Sequence, residues 1–272
     1  MTMKLEIYAY LNGELQTFAG TNSEMDVLVC DEFIQGSRMK VHLANYCADG
    51  NVSVAVLKKM SLSGDWYLPW HSKEIAVWAE GARLAGCKLL WDSFKTTALS
   101  VDINLHGIQV LRTFSFCCED TIFLAQPWDC GVPFSQEMLD LLDPKQTAIY
   151  EILDAFSHYS YQFSNHRSVY VDFQGFKTVA GYSIFDSLTH LSDLEYSPFG
   201  WPMLGSLGVH GIDDFINTHT CNEICQKLGL NSLPLLSPTR RKPPLTLDLL
   251  PPKLLPNTSS SIFLSSWLSS YW

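Results

Sequence analysis

The segment His219-Thr220-Cys221-Asn222-Glu223-Ile224-Cys225 constrains the fold more than any other stretch, because Cys221 and Cys225 stand one helical turn apart with His219 just upstream. Three soft ligands converge at that spacing. A closed structural zinc site takes four, and His158, near the end of an expected helix, is the chosen fourth ligand. The same spacing also suits buried free cysteines beside a surface histidine. The N-terminus lacks a charged start followed by an apolar run, and no apolar stretch approaches the roughly 20 residues of a membrane helix. These features point to the cytoplasm, with the nucleus left open, and to no membrane. Thiols stay reduced there, so the eight cysteines are free thiols or metal ligands, not a disulfide frame.

Apolar residues make up 47% of the chain, enough for a well-buried core. Eighteen Lys and Arg against 28 Asp and Glu leave a net charge of -10, which disfavours nucleic acid as the main partner. Met39 to Cys47 and Ser53 to Met60 are β-prone runs, and Asp49-Gly50 between them signals a hairpin. Ile75, Trp78, Ala79, Ala82 and Leu84 recur at helical spacing within 73–94, although Gly81 and Gly86 weaken that helix. Ile108 to Phe116 and Thr121 to Ala125 read as two further strands, followed by an irregular crossing at Pro127, Gly131 and Pro133. Asp143-Pro144-Lys145-Gln146 caps a helix whose apolar face holds Ile149, Ile152, Leu153, Phe156 and Tyr159. Ser168 to Phe173 alternates as a strand ending at Gln174-Gly175, and Gly211 to Asn217 and Asn222 to Leu228 read as short helices. Beyond Leu230 the chain holds seven of its 13 prolines, so 232–272 is expected to be a Pro/Ser-rich disordered tail.

The order of these motifs resembles the alpha-kinases, the family of the myosin heavy chain kinases and the elongation-factor kinase. The resemblance is carried by Ser157-His158 at a helix end, Asp172-Phe173-Gln174-Gly175 on the next strand, Asp186 with His190 after it, a glycine-rich loop, and His219-Thr220-Cys221-Asn222-Glu223-Ile224-Cys225. It is clear over about 145–230 and weaker back to about residue 28. It implies an α+β, two-lobed, protein-kinase-like fold with a structural zinc site in the C-terminal lobe. The expected boundaries are an N-terminal extension over 1–27 and a kinase domain over 28–231, its N-lobe at about 28–125 and its C-lobe at about 134–231.

The resemblance also implies roles. His158, His219, Cys221 and Cys225 become the Zn²⁺ ligands, the set already proposed from spacing. Lys58 matches the phosphate-binding lysine, and Glu74 the acid that pairs with it, with Glu80 as rival. Asp172 and Gln174, two apart on a strand and so expected on one side, would hold Mg²⁺ and phosphate oxygens. Asp186 matches a loop aspartate that positions or deprotonates the substrate hydroxyl. Gly205, Gly208 and Gly211 match a loop whose missing side chains let backbone approach a ligand, and Gln126 stands near an acid that faces the nucleotide in relatives. The implied activity is a serine/threonine protein kinase that transfers the γ-phosphoryl group of ATP to a protein substrate, with ATP and Mg²⁺ bound between the lobes. Met203, Ser206 and Ser187 replace the family's glycine, asparagine and proline, which keeps a second reading open, a pseudokinase acting as a nucleotide-binding or interaction module. A purely structural zinc domain would leave the order of the polar residues unexplained.

Overall fold

The computed structural model describes residues 2–3, 7–11, 14–18, 25–35, 39–48, 51–60, 73–118, 121–128, 131–135, 147–192 and 205–234. Most of the expected tail, the capping run at 143–146 and Met203 lie outside these residues. Two compact units share the chain by turns. One takes Met1–Gly81 with Thr113–Trp128, the other Ala82–Arg112 with Asp129–Arg241. The two units alternate along the sequence, because the chain passes into the second unit within a helix and comes back for one hairpin.

The first unit is built on β5 (Met39–Ala48) and β6 (Asn51–Met60), paired antiparallel down to Ala48 and Asn51, so that only Asp49-Gly50 connects them. The pairing expected of the two β-prone runs is formed, while Asp49 and Gly50 themselves lie outside the described residues. Among the described residues the sheet has eight strands in the order β1-β4-β5-β6-β9-β8-β2-β3. The others are β1 (Thr2–Met3), β2 (Ile7–Leu11), β3 (Glu14–Phe18), β4 (Met25–Gln35), β8 (Phe114–Cys118) and β9 (Thr121–Pro127). Within the stretch expected as an extension, β2 and β3 pair with each other, and Tyr8 of β2 pairs with Ser115 of β8.

The second unit carries a four-stranded sheet in the order β10-β11-β12-β7, formed by β10 (Val132–Ser135), β11 (Ser168–Thr178), β12 (Gly181–Leu191) and β7 (Ile108–Val110). The single strand expected over 108–116 breaks at Leu111, and its two pieces join different sheets. Helix α1 runs over Lys73–Ser100, straight through both glycines. At Gly86 a Cβ would lie 2.6 Å from the Tyr170 hydroxyl, so glycine serves close packing there rather than flexibility.

Helix α2 (Thr147–Phe163) buries Ile149, Ile152, Leu153 and Phe156, the i, i+3, i+4, i+7 stripe of an amphipathic helix. Phe156 meets Trp91 of α1 edge-on at 5.1 Å and Phe173 of β11 at 5.4 Å. Each such fully buried aromatic contributes about 2–3 kcal/mol by removal from water. This core seats α2 between α1 and the sheet, which directs His158 towards the last two helices, α3 (Val209–Thr218) and α4 (Glu223–Lys227).

Candidate functional site

His158, His219, Cys221 and Cys225 come together with their ligand atoms all within 4.8 Å of one another. His158 Nδ1 is 3.6 Å from Cys221 Sγ, and His219 Nε2 is 3.7 Å from Cys225 Sγ. A tetrahedron with ordinary Zn–N and Zn–S bonds has mixed edges of about 3.5 Å, so the donor set and its spacing fit zinc. Local structure prepares the arrangement. His219 ends α3 as its C-cap, with its N–H bonded to the Phe215 carbonyl. Asn222 caps α4, accepting the Cys225 N–H, while its amide donates to the Glu151 carbonyl of α2 and ties the two helices together. Asp154 Oδ2 lies 2.9 Å from His219 Nδ1, close enough for an ion pair although the two are not aligned as a hydrogen bond, and Nε2 is the ring nitrogen that faces Cys225. Burial pushes the Cys225 thiol up to about 12. Burial, with the neighbouring His219 ring, lowers His158 to about 4. The His158 imidazole is therefore held neutral, and binding a cation there must displace the Cys225 thiol proton.

Across the second sheet, Gln174 of β11 pairs directly with Asp186 of β12, and the register shifts on both sides of that pair. Asp186 is a strand residue and not the loop residue expected; the chain reads as a turn because Ser187 interrupts the alternation. The register shift places Asp172 at φ 52° in the left-handed region and leaves it exposed, while Gln174 is buried. The expectation that the two share a side by strand alternation is thus corrected, since alternation does not survive a bulge. A non-glycine residue in that region costs energy and persists only where the surroundings impose it, a mark often found at functional sites. Arg83 of α1, buried to 3%, bonds Asp186 Oδ1 at 2.6 Å. Nothing in the sequence around Arg83 distinguishes it from a solvated helical charge.

The glycine-rich stretch is clasped to β12. His190 Nδ1 accepts the Leu207 N–H at 3.2 Å, and Ser206 Oγ accepts the N–H groups of Leu191 and Gly208. Gly205 and Gly208 have φ of 81° and 61°, which L side chains rarely adopt. Gly211 differs in kind. It has an ordinary φ, and a Cβ there would fall 2.2 Å from the His190 ring, so its glycine makes room for the histidine and not for a ligand. His190, for which the sequence suggests no role, is buried and lowered to about 4 by that burial.

In the first unit Lys58 and Gln126 are both buried to 2%. Gln126 pairs with Val56, two residues before Lys58, so both project from one face of the sheet. The Gln126 amide donates to Thr113 Oγ1 at 2.9 Å. Glu74 lies in the first turn of α1, and the placement of its side chain is outside the described residues. No helix among the described residues is long and apolar enough to cross a membrane.

The alpha-kinase family profile matches residues 34–225 of the chain. The chain belongs to the alpha-kinase family. An alpha-kinase, vwkA of Dictyostelium discoideum, is 41% identical over 87 residues, which is 32% of this chain and 13% of vwkA. Myosin heavy chain kinase B of the same organism is 37% identical over 79 residues, 29% of this chain and 10% of that protein. Mouse eukaryotic elongation factor 2 kinase is 37% identical over 81 residues, 30% of this chain and 10% of that kinase. The chain thus matches only a small part of these curated relatives. An alpha-kinase structure from Entamoeba histolytica superimposes with a TM-score of 0.59 at 17% identity, covering 85% of this chain and 92% of the other, and shows that the fold is the alpha-kinase fold.

Proposed function

We infer that this chain is an ATP-dependent serine/threonine protein kinase, working where thiols stay reduced, in the cytosol or nucleus. The observation that carries the reading is the left-handed Asp172 in the irregular stretch of β11 next to the Gln174–Asp186 pair, three polar residues in the order the family implies. Asp172 and Gln174 would hold Mg²⁺, which supplies charge neutralisation at the phosphates when bound. Lys58 and Gln126 would meet the nucleotide, Lys58 by neutralising phosphate charge. Asp186 would accept a hydrogen bond from the hydroxyl of the protein substrate and orient it. Catalysis of this kind comes from positioning and fixed charge, without a covalent intermediate on the enzyme. His158, His219, Cys221 and Cys225 would hold a structural Zn²⁺ that joins α2 to the end of the domain. Of the departures from the family pattern, Ser206 accepts the N–H of Gly208 in its own loop and that of Leu191 at the end of β12, which supports a formed loop rather than a decayed one.

The test is transfer of label from ATP with Mg²⁺ to a basic model protein, beside Asp186→Ala and Asp172→Ala. Transfer that falls at least about 100-fold in both variants is expected for residues in the phosphoryl-transfer machinery. Equal transfer by all three proteins, or none by any of them while ATP still binds, would sink the kinase reading.

A further inference from the structure

Asp186 is held from behind. Its Oδ1 accepts from Arg83 Nη2 at 2.6 Å and from the Ser187 N–H at 2.8 Å, while Arg83 Nη1 reaches Ser187 Oγ at 3.4 Å. Arg83 is 3% exposed and the Asp186 side chain 17%, so the guanidinium is deep and the carboxylate remains partly open to solvent. A buried guanidinium requires an anionic partner. Two donors converging on one carboxylate oxygen also restrict its rotation, as charge-assisted bonds are short and directional. The helix that brings Arg83 is itself registered on the sheet. Tyr170 of β11 donates its hydroxyl to the Arg83 carbonyl at 3.3 Å, and Gly86, one turn on, leaves room for that ring.

We propose that Arg83 and Ser187 are the positioning residues of Asp186, a clamp that fixes the carboxylate towards the substrate hydroxyl; this rests on the kinase reading above. Ser187 stands where the family resemblance has proline, and proline has neither the N–H nor the hydroxyl used here. The departure therefore adds two bonds to the clamp. It also costs the sheet nothing, because the register skips Ser187 between the Gln174–Asp186 and Val171–Leu188 pairs.

The experiment measures kcat and the KM for ATP separately, with labelled ATP and a basic model protein, for the full chain and its variants. Arg83→Met is expected to lower kcat about 100-fold and Arg83→Lys about tenfold, with KM for ATP kept within about twofold, because an ammonium keeps the charge without the planar fork. Ser187→Pro removes one backbone donor and one hydroxyl and is expected to lower kcat about fivefold. Arg83→Met combined with Asp186→Ala should be no slower than Asp186→Ala alone, since the pair acts as one unit. Melting curves run beside the kinetics, with Arg83→Met/Asp186→Asn, which removes both charges, expected to melt above Arg83→Met and to stay inactive. If Arg83→Met does not fold, Arg83→Lys and Ser187→Pro carry the comparison. A wild-type kcat in these variants while Asp186→Ala is impaired, or additive losses in the double variant, overturns the clamp alone. Full activity in Asp186→Ala, or no transfer by the unaltered chain, overturns the clamp and the kinase reading together.

Discussion

Asp172 occupies a backbone region that costs an L residue about 1–2 kcal/mol, in the middle of a strand. Glycine relieves that cost, so Asp172→Gly is expected to melt at or above the unaltered protein, up to about 1 kcal/mol more stable, while losing phosphotransfer. Thermal melts and the label-transfer assay on one preparation check this pair of opposite effects. His190 bears on pH. Its folded value of about 4 lies below the ordinary 6.5, so between these values only the unfolded chain takes up the proton. Stability from this residue is complete above 6.5 and is lost as pH falls towards 4, by at most about 3 kcal/mol at 1.36 kcal/mol per pKa unit. In His190→Gln, whose carbonyl can still accept the Leu207 N–H, urea melts across that window are expected to show a flatter pH dependence. Neither feature was legible beforehand. A left-handed aspartate follows from a register shift between two strands, and a neutral buried histidine follows from a glycine 21 residues later that makes room for it.

Elements built from neighbouring residues were the readable ones. Asp49-Gly50 between two β-prone runs specified its hairpin, and the apolar stripe of α2 specified its buried face. Cys221 and Cys225 announced a cluster because one helical turn places them together whatever the rest of the chain does. Elements defined by distant partners were not readable. The run 108–116 divides between two sheets although no residue within it marks the change, and β12 was missed because Asp186 and Ser187 break its alternation. Asp154 belongs to this scale, since only the packing of α2 on α3 brings it to His219. Asp154→Ala is expected to weaken zinc binding about 10- to 100-fold, the usual effect of removing a carboxylate behind a histidine ligand, with no loss of the other three donors. Competition against a chromophoric chelator gives the affinity directly.

For the molecule as a whole, the four-ligand cluster joins points 63 residues apart, from His158 to Cys221. One zinc per chain is expected by elemental analysis, and stripping it with a strong chelator at neutral pH should lower the melting temperature sharply, because structural zinc contributes on the order of 10 kcal/mol in small zinc-dependent folds. A chain that contains no zinc yet melts unchanged in chelator would overturn the staple. The interleaving of the two units reaches further, into how the protein is made. Strand β6 lies between β5 and β9 in the finished sheet, yet β9 follows it only after the whole of α1 and β7. On the ribosome, β6 therefore waits with one row of backbone N–H and C=O groups unanswered until residue 127 has emerged. A pause in translation between these two strands would prolong an interval in which two nascent chains on one messenger can pair edge to edge.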